Sequence, residues 1–251
     1  IYINIFKIKF PIKMTNQKDI VVLKIGTDTT IDKRGQIRKD LLSNVLKILK
    51  GEIKSGRKVL LVTSGAIKLG RKITGDKISR SATASVGQPI LFGAYKKEAD
   101  KLKINVAEIL LSRPNLVKQS QFIKLKNILD ELFSKDIIPI INENDALVVE
   151  TDWSFGDNDG MATTLAIMFG ASLIVFATDV DGLFSGDPKI NKEVKLVEEV
   201  PNLNDEFLKL CSKVSSQNSQ GGMLSKLKSV RLCTAVGIET RIVNGLKPEN
   251  I

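Results

Sequence analysis

Short apolar, β-branched runs at Ile20–Lys24, Val59–Thr63, Ile137–Ile141 and Leu173–Ala177 read as buried strands, and Ile238–Val243 reads as a fifth. Between these runs the apolar spacing changes to three and four. Arg38–Ser55 puts Leu41, Leu42, Val45, Leu46 and Leu49 on one side of a helix, and Gln88–Leu102 and Gln119–Lys135 repeat that spacing. Strands alternating with helices predict an α/β fold: a mostly parallel sheet with helices on both faces. No internal repeat or low-complexity linker interrupts the pattern, so the expectation is one domain with two lobes.

In such a sheet, ligands sit beyond the carboxyl ends of the strands. The segments there are "KIGTDT" (24–29), "TSGAI" (63–67), "NENDA" (142–146), "TDVDG" (178–182) and, on a later loop, "SQGGMLSK" (219–226). Lys24 closes an otherwise apolar strand, which is costly unless its ammonium meets an anion. Ser64-Gly65 leads from a strand into a helix whose free N–H groups favour anions; an ordinary capped turn would look the same. Gly221-Gly222 precede a helical segment with Lys226 one turn in. The spacing is not that of a Walker A loop, yet it can cradle phosphates. Lys24 and Lys226 together offer two positive charges to a transferring phosphoryl group.

Charge sharpens this picture. The 251 residues carry a formal net charge of +10, yet from Asp136 to Pro188 there is no Lys or Arg, and acidic residues recur up to a dense "GDNDG". Asp145 and Asn158, with Asp157 and Asp159 around them, are suited to holding an ammonium through charge-assisted hydrogen bonds. The rival readings are a solvated acidic loop and a metal site, but the EF-hand spacing fails after Gly160. Mg²⁺ carried mainly by nucleotide phosphates fits better than a protein cage, so no protein metal ligand is expected. Histidine is absent. A carboxylate nucleophile, already ionised at neutral pH, needs no such base.

Composition excludes several classes. Aromatics make up 5% of the chain and lysines are scattered through helical stretches, so no nucleic acid partner is expected. No apolar run reaches membrane-spanning length. Cys211 and Cys233 read as buried thiols of a reducing cytoplasm. Residues 1–19, beginning "IYINIFKIKFPIKM", read as an upstream or disordered extension, with Met14 as the natural start.

The motifs "VVLKIGT", "LVTSGAI", "ASVGQ", "LLSR", "IPIINENDA", "GDND", "TDVDGLFSGDP", "GGMLSK" and "GLKPENI", in that order, resemble the amino-acid kinase superfamily and, within it, the glutamate 5-kinase family. "INENDA" followed by "GDND" is the more specific signature. The resemblance implies ATP-dependent phosphorylation of the γ-carboxylate of L-glutamate, opening proline biosynthesis, with ATP as co-substrate. It implies a three-layer α/β/α sandwich with an open, mainly parallel sheet over residues 20–251. About 20–171 would be the glutamate-binding half and about 172–251 the ATP-binding half. By position, Lys24 and Lys226 resemble the lysines that touch the phosphates, and Asp159 the acid that orients them. Ser64, Asp145 and Asn158 resemble the glutamate binders. Lys24, Thr178, Asp179, Gln220, Gly221, Gly222, Met223, Leu224, Ser225 and Lys226 resemble the ATP contacts. A homo-oligomer is expected, as is a short form without the PUA domain of many relatives.

Four departures accompany the likeness: "GDNDG" for the usual "GDNDN", "TSGAI" for "SSGAI", Gln220 for a Thr, and the stop at "GLKPENI". The alternatives are a superfamily kinase for aspartate, N-acetylglutamate, carbamate or uridylate, a basic RNA-binding module, and a silent regulatory subunit. N-acetylglutamate has no free ammonium to match the acidic block. Aspartate fits the charges and is one methylene shorter, a difference that pockets discriminate by only ~1–3 kcal/mol.

Overall fold

A computed structural model describes residues 6–8, 19–147, 158–181, 183–184, 196–197, 223–247 and 251. Its centre is a seven-stranded sheet of β1 (Phe6–Ile8), β2 (Ile20–Ile25), β3 (Lys58–Val62), β4 (Val106–Leu111), β5 (Ile138–Glu143), β6 (Leu173–Thr178) and β9 (Glu239–Asn244). The order is β1-β9-β6-β2-β3-β5-β4. Six strands run parallel, and β1 pairs antiparallel with β9 through Phe6↔Ile242 and Ile8↔Thr240. The stretch that the sequence sets outside the domain thus contributes an edge strand; "IYINIFKIKF" is rich in residues that favour extended backbone. β7 (Leu183–Phe184) and β8 (Leu196–Val197) form a separate antiparallel pair.

Alternation along each parallel strand divides the core into two. Val22, Leu60, Val62, Ile141, Ile174, Phe176 and Ile242 face one layer, against α6 (Gln119–Phe133), α7 (Asn158–Phe169) and α8 (Met223–Ala235). Val21, Leu23, Val59, Leu61, Ile140 and Val175 face the other, against α2 (Lys39–Lys54) and α4 (Arg80–Lys101). The three-layer α/β/α arrangement follows from this two-sided burial. The shorter helices α1 (Thr27–Thr30), α3 (Ala66–Thr74) and α5 (Arg113–Val117) lie in the connections.

Two elements differ from the sequence reading. β4 has no predicted counterpart: it is the half-exposed edge strand, and Glu108 and Leu110 face solvent, so the continuous apolar signal of a buried strand is missing. α4 starts at Arg80 instead of Gln88. Its first two turns, "RSATASVG", are small and polar, and Pro89, which looks like a helix start, lies inside the helix. The Ser79 side chain caps the true beginning by accepting from the Ala82 N–H at 3.2 Å. The small residues serve the packing of α3 on α4: a Cβ on Gly87 would lie 1.8 Å from the Ala66 carbonyl oxygen, and one on Gly70 would lie 1.9 Å from that of Thr83.

Candidate active site

The chain leaves β2 for β3 on one side and later returns to β6 on the other. Strand order therefore reverses at β2, and a crevice opens at the carboxyl ends of β2, β3 and β6. The candidate residues gather there because each follows a parallel strand or opens a helix that points back at the sheet.

Lys24 shares the pleat face of Ile20 and Val22, which is the face that α7 covers. Its ammonium meets Asp159 Oδ1 at 2.6 Å, and Lys226, from the first turn of α8, meets Asp159 Oδ2 at 3.1 Å. Asp159 is fully buried and both lysines are nearly so. Burial alone would raise the Asp159 carboxyl, but the two ammonium charges outweigh it and hold the group below the usual carboxylate range. Two cations on one anion leave these three groups with a net positive charge, a stage for phosphate oxygens. The reading that put Asp159 beside an incoming ammonium is corrected here: both of its oxygens face lysines.

A few ångströms of sequence away the character changes. Asn158 opens α7 and donates through Nδ2 to the Thr63 carbonyl and to Asn142 Oδ1, each at 2.7 Å. Its Oδ1 is buried and has no hydrogen-bond partner among the described residues. Thr63 is itself fixed by its hydroxyl, 3.0 Å from the buried Tyr95 hydroxyl. Burial pushes that phenol up to about 12, so it stays neutral and acts only as a hydrogen-bonding anchor. Ser64 follows at once, its Oγ 2.6 Å from Thr27 Oγ1. Gly65 takes φ +124°, and a side chain there would collide with Ile31.

Asp145 follows β5 and is mostly buried, with the Arg80 guanidinium at 3.9 Å. Burial first, and the Glu143 charge second, push its carboxyl up to about 6 against the pull of Arg80. Thr178 ends β6, and its hydroxyl donates to Asp179 at 3.3 Å. Met223, Leu224 and Ser225 open α8. Gln220, Gly221, Gly222 and Asp157 lie outside the described residues.

Sequence reasoning did not single out Asn142, Thr63, Thr27, Gln88 or Arg80, although the first four lie in segments that it named. For Asn142 a signal existed: an amide at the end of the apolar run "IPIIN" is as anomalous as Lys24. The Thr63 contact runs through a backbone carbonyl, which no side-chain pattern announces. Arg80 lies in the part of α4 with no apolar periodicity.

The known proteins that the chain is similar to are kinases. The model of the amino acid kinase family matches residues 19–244. Among the relatives, a glutamate 5-kinase of Pelagibacter ubique is 35% identical over 233 residues, covering 90% of this chain and 63% of the relative. Those of Caldanaerobacter subterraneus subsp. tengcongensis (31%) and Streptococcus pneumoniae (32%) match over 237 residues and 92% of this chain. The chain thus spans 63–64% of the length of these relatives. A carbamate kinase from Giardia lamblia bound to AMP-PNP superposes with TM-score 0.63 at 17% identity, over 94% of this chain and 95% of the other. An isopentenyl phosphate kinase substrate complex gives 0.61 at 18%, over 91% and 93%. A UMP kinase from Ureaplasma parvum gives 0.59 at 19%, over 93% and 92%. These structures share the fold.

Proposed function

The chain belongs to the amino acid kinase family, and from that premise we propose that it transfers the γ-phosphoryl group of ATP to the γ-carboxylate of L-glutamate. The product is L-glutamyl 5-phosphate, and the step opens proline biosynthesis in the cytoplasm. One observation carries the reading: the crevice is segregated, with Lys24 and Lys226 on one buried carboxylate and the acceptors Asp145 and Asn158 Oδ1 apart from them. A substrate with an ammonium at one end and a carboxylate to be phosphorylated at the other matches both ends. The relatives at 31–35% identity are named for that substrate.

In this mechanism a γ-carboxylate oxygen attacks the γ-phosphorus, the bond to the ADP oxygen breaks, and acyl phosphate and ADP leave. No general base is required. Lys24 and Lys226 neutralise charge that spreads over the phosphoryl oxygens, and Asp159 holds both ammoniums in place. Asp145 and Asn158 take the ammonium, with Ser64 beside them; Thr178, Asp179 and residues 220–226 serve the nucleotide. Because both Asp159 oxygens are engaged by lysines, Mg²⁺ would be held mainly by the phosphates and would supply further positive charge to the transfer.

The test is a hydroxylamine trap with Mg·ATP and, in parallel, L-glutamate, L-aspartate and N-acetyl-L-glutamate. Glutamyl hydroxamate should form at least tenfold faster than the other two products. Well-folded protein that makes none of it, or that prefers N-acetylglutamate, refutes the assignment.

A further inference from the structure

Four side chains link the amino-acid end of the crevice to the sheet edge. Asn158 Nδ2 donates to Asn142 Oδ1 at 2.7 Å, Asn142 Nδ2 donates to Gln88 Oε1 at 2.7 Å, and Gln88 Nε2 donates to Glu108 Oε1 at 2.6 Å. An amide side chain can usually turn either end towards a neighbour. Here groups with no such freedom fix the direction. The Thr63 carbonyl, which only accepts, takes Asn158 Nδ2 at 2.7 Å. The Glu143 backbone N–H, which only donates, takes Asn142 Oδ1 at 3.0 Å. At the far end the Glu108 carboxylate only accepts, so Gln88 must give it the amino end and turn its oxygen to Asn142.

From this polarised chain we infer that Gln88 and Glu108 are positioning residues for substrate selection: they hold Asn142, and through it Asn158, with the Asn158 oxygen as the acceptor offered to a ligand's ammonium. The inference rests on the proposed glutamate reaction and deepens it. Neither residue needs to touch substrate. Gln88 is half-buried on α4 and Glu108 is exposed on β4. The relay therefore runs from a solvent-facing carboxylate to a buried acceptor across three strands' width of the molecule, β4, β5 and β3. Reversing the charge at Glu108 asks Gln88 for an acceptor, which turns its amino end onto the Asn142 amino group. The two donors repel, and the pair of asparagines loses its support.

The test compares Glu108→Lys, Glu108→Gln and Gln88→Leu with the unaltered enzyme, in the hydroxamate assay, with L-glutamate and with glutarate, which lacks the amino group. Glu108→Lys and Gln88→Leu should raise the KM for L-glutamate about tenfold. The ATP KM should stay within twofold, and the preference for glutamate over glutarate should shrink by a similar factor. Glu108→Gln, able to offer an oxygen, should remain within threefold of the unaltered enzyme. Equal losses on both acids, or an unaltered KM in Glu108→Lys, overturn the relay. A second readout needs no substrate: the side-chain amide signals of Asn142 and Asn158, in ¹⁵N-asparagine-labelled protein, should move in Glu108→Lys and stay in Glu108→Gln. Still signals in Glu108→Lys refute the relay even if the enzyme acts on a different acid. An unaltered enzyme that makes no glutamyl hydroxamate, with moving signals, counts against the reaction alone.

Discussion

Asp145 sits where one ionisation bears on both the proposed binding of substrate and the stability of the fold. Its carboxyl is pushed up to about 6 by burial and by Glu143, against Arg80. As the pH falls through about 6 the anion proposed to hold the substrate ammonium is neutralised, so the L-glutamate KM should rise at low pH and be flat above 7. Asp145→Asn should abolish that limb and raise the KM at least tenfold at pH 7.5. For stability the sign is opposite. The folded-state carboxyl lies above its ordinary 3.8, so the native state holds this proton more tightly. The resulting stabilisation is full below about 3.8 and is lost as pH rises through about 6. At pH 7.5 the ionised Asp145 thus weakens the fold, and Asp145→Asn should raise Tm by about 2–4 °C there and leave it unchanged at pH 4. Thermal melts at the two pH values check this.

At the scale of elements, the contact between α3 and α4 is made by backbone. A Cβ added at Gly87 would lie 1.8 Å from the Ala66 carbonyl oxygen and 2.6 Å from the Gly70 nitrogen. No rotamer change relieves that, so the helices must move apart. Gly87→Ala should cost about 3 kcal/mol or more, read as a lower urea midpoint with an unchanged m-value. Gly93, on the same helix, has open space where its Cβ would go. Gly93→Ala should stabilise by roughly 0.5–1 kcal/mol, because it removes unfolded-state freedom without a clash. Gly87→Ala should also weaken L-glutamate binding, since α4 carries both Gln88 and Arg80. These two helices were only partly legible in the chain: α3 follows from the strand–Gly–helix turn, whereas the first turns of α4 have no apolar stripe to announce them.

Across the whole molecule, Asp159 is the point where separate parts of the chain converge. Lys24 comes from the strand at the switch point, Asp159 from α7 and Lys226 from α8, so the triad joins residues 202 positions apart (226 − 24). Replacing Asp159 by Asn leaves two buried ammoniums facing a neutral amide. The expected cost is about 3–5 kcal/mol of stability, measured by chemical denaturation, together with a fall in kcat of at least a hundredfold. The glutamate KM should change much less, because the acceptors proposed for the ammonium are on Asn158 and Asp145. A fall in kcat without loss of stability would separate a catalytic role from a structural one.

Five of the six parallel strands (β2, β3, β5, β6 and β9), the parallel sheet and the residues after those strands were legible in the sequence, because buried strands and amphipathic helices impose spacings that any reader of the chain can count. Lys226 was legible from its place one turn into a helical segment after a Gly pair, and Lys24 for a related reason: a cation closing an apolar run must meet an anion. Which anion it meets was not legible from the residue pattern, and only the resemblance pointed to Asp159. "GDNDG" looks like one acidic cluster in the chain, yet the start of α7 turns Asp159 into the core towards two lysines and turns Asn158 towards the Thr63 carbonyl. Adjacent residues on a helix point about 100° apart, so neighbours in sequence serve opposite ends of the crevice. The edge strand β4, the helix crossing at Gly70 and Gly87, and the line from Glu108 to Asn158 depend on distances between segments far apart in the chain. Only the folded arrangement sets those.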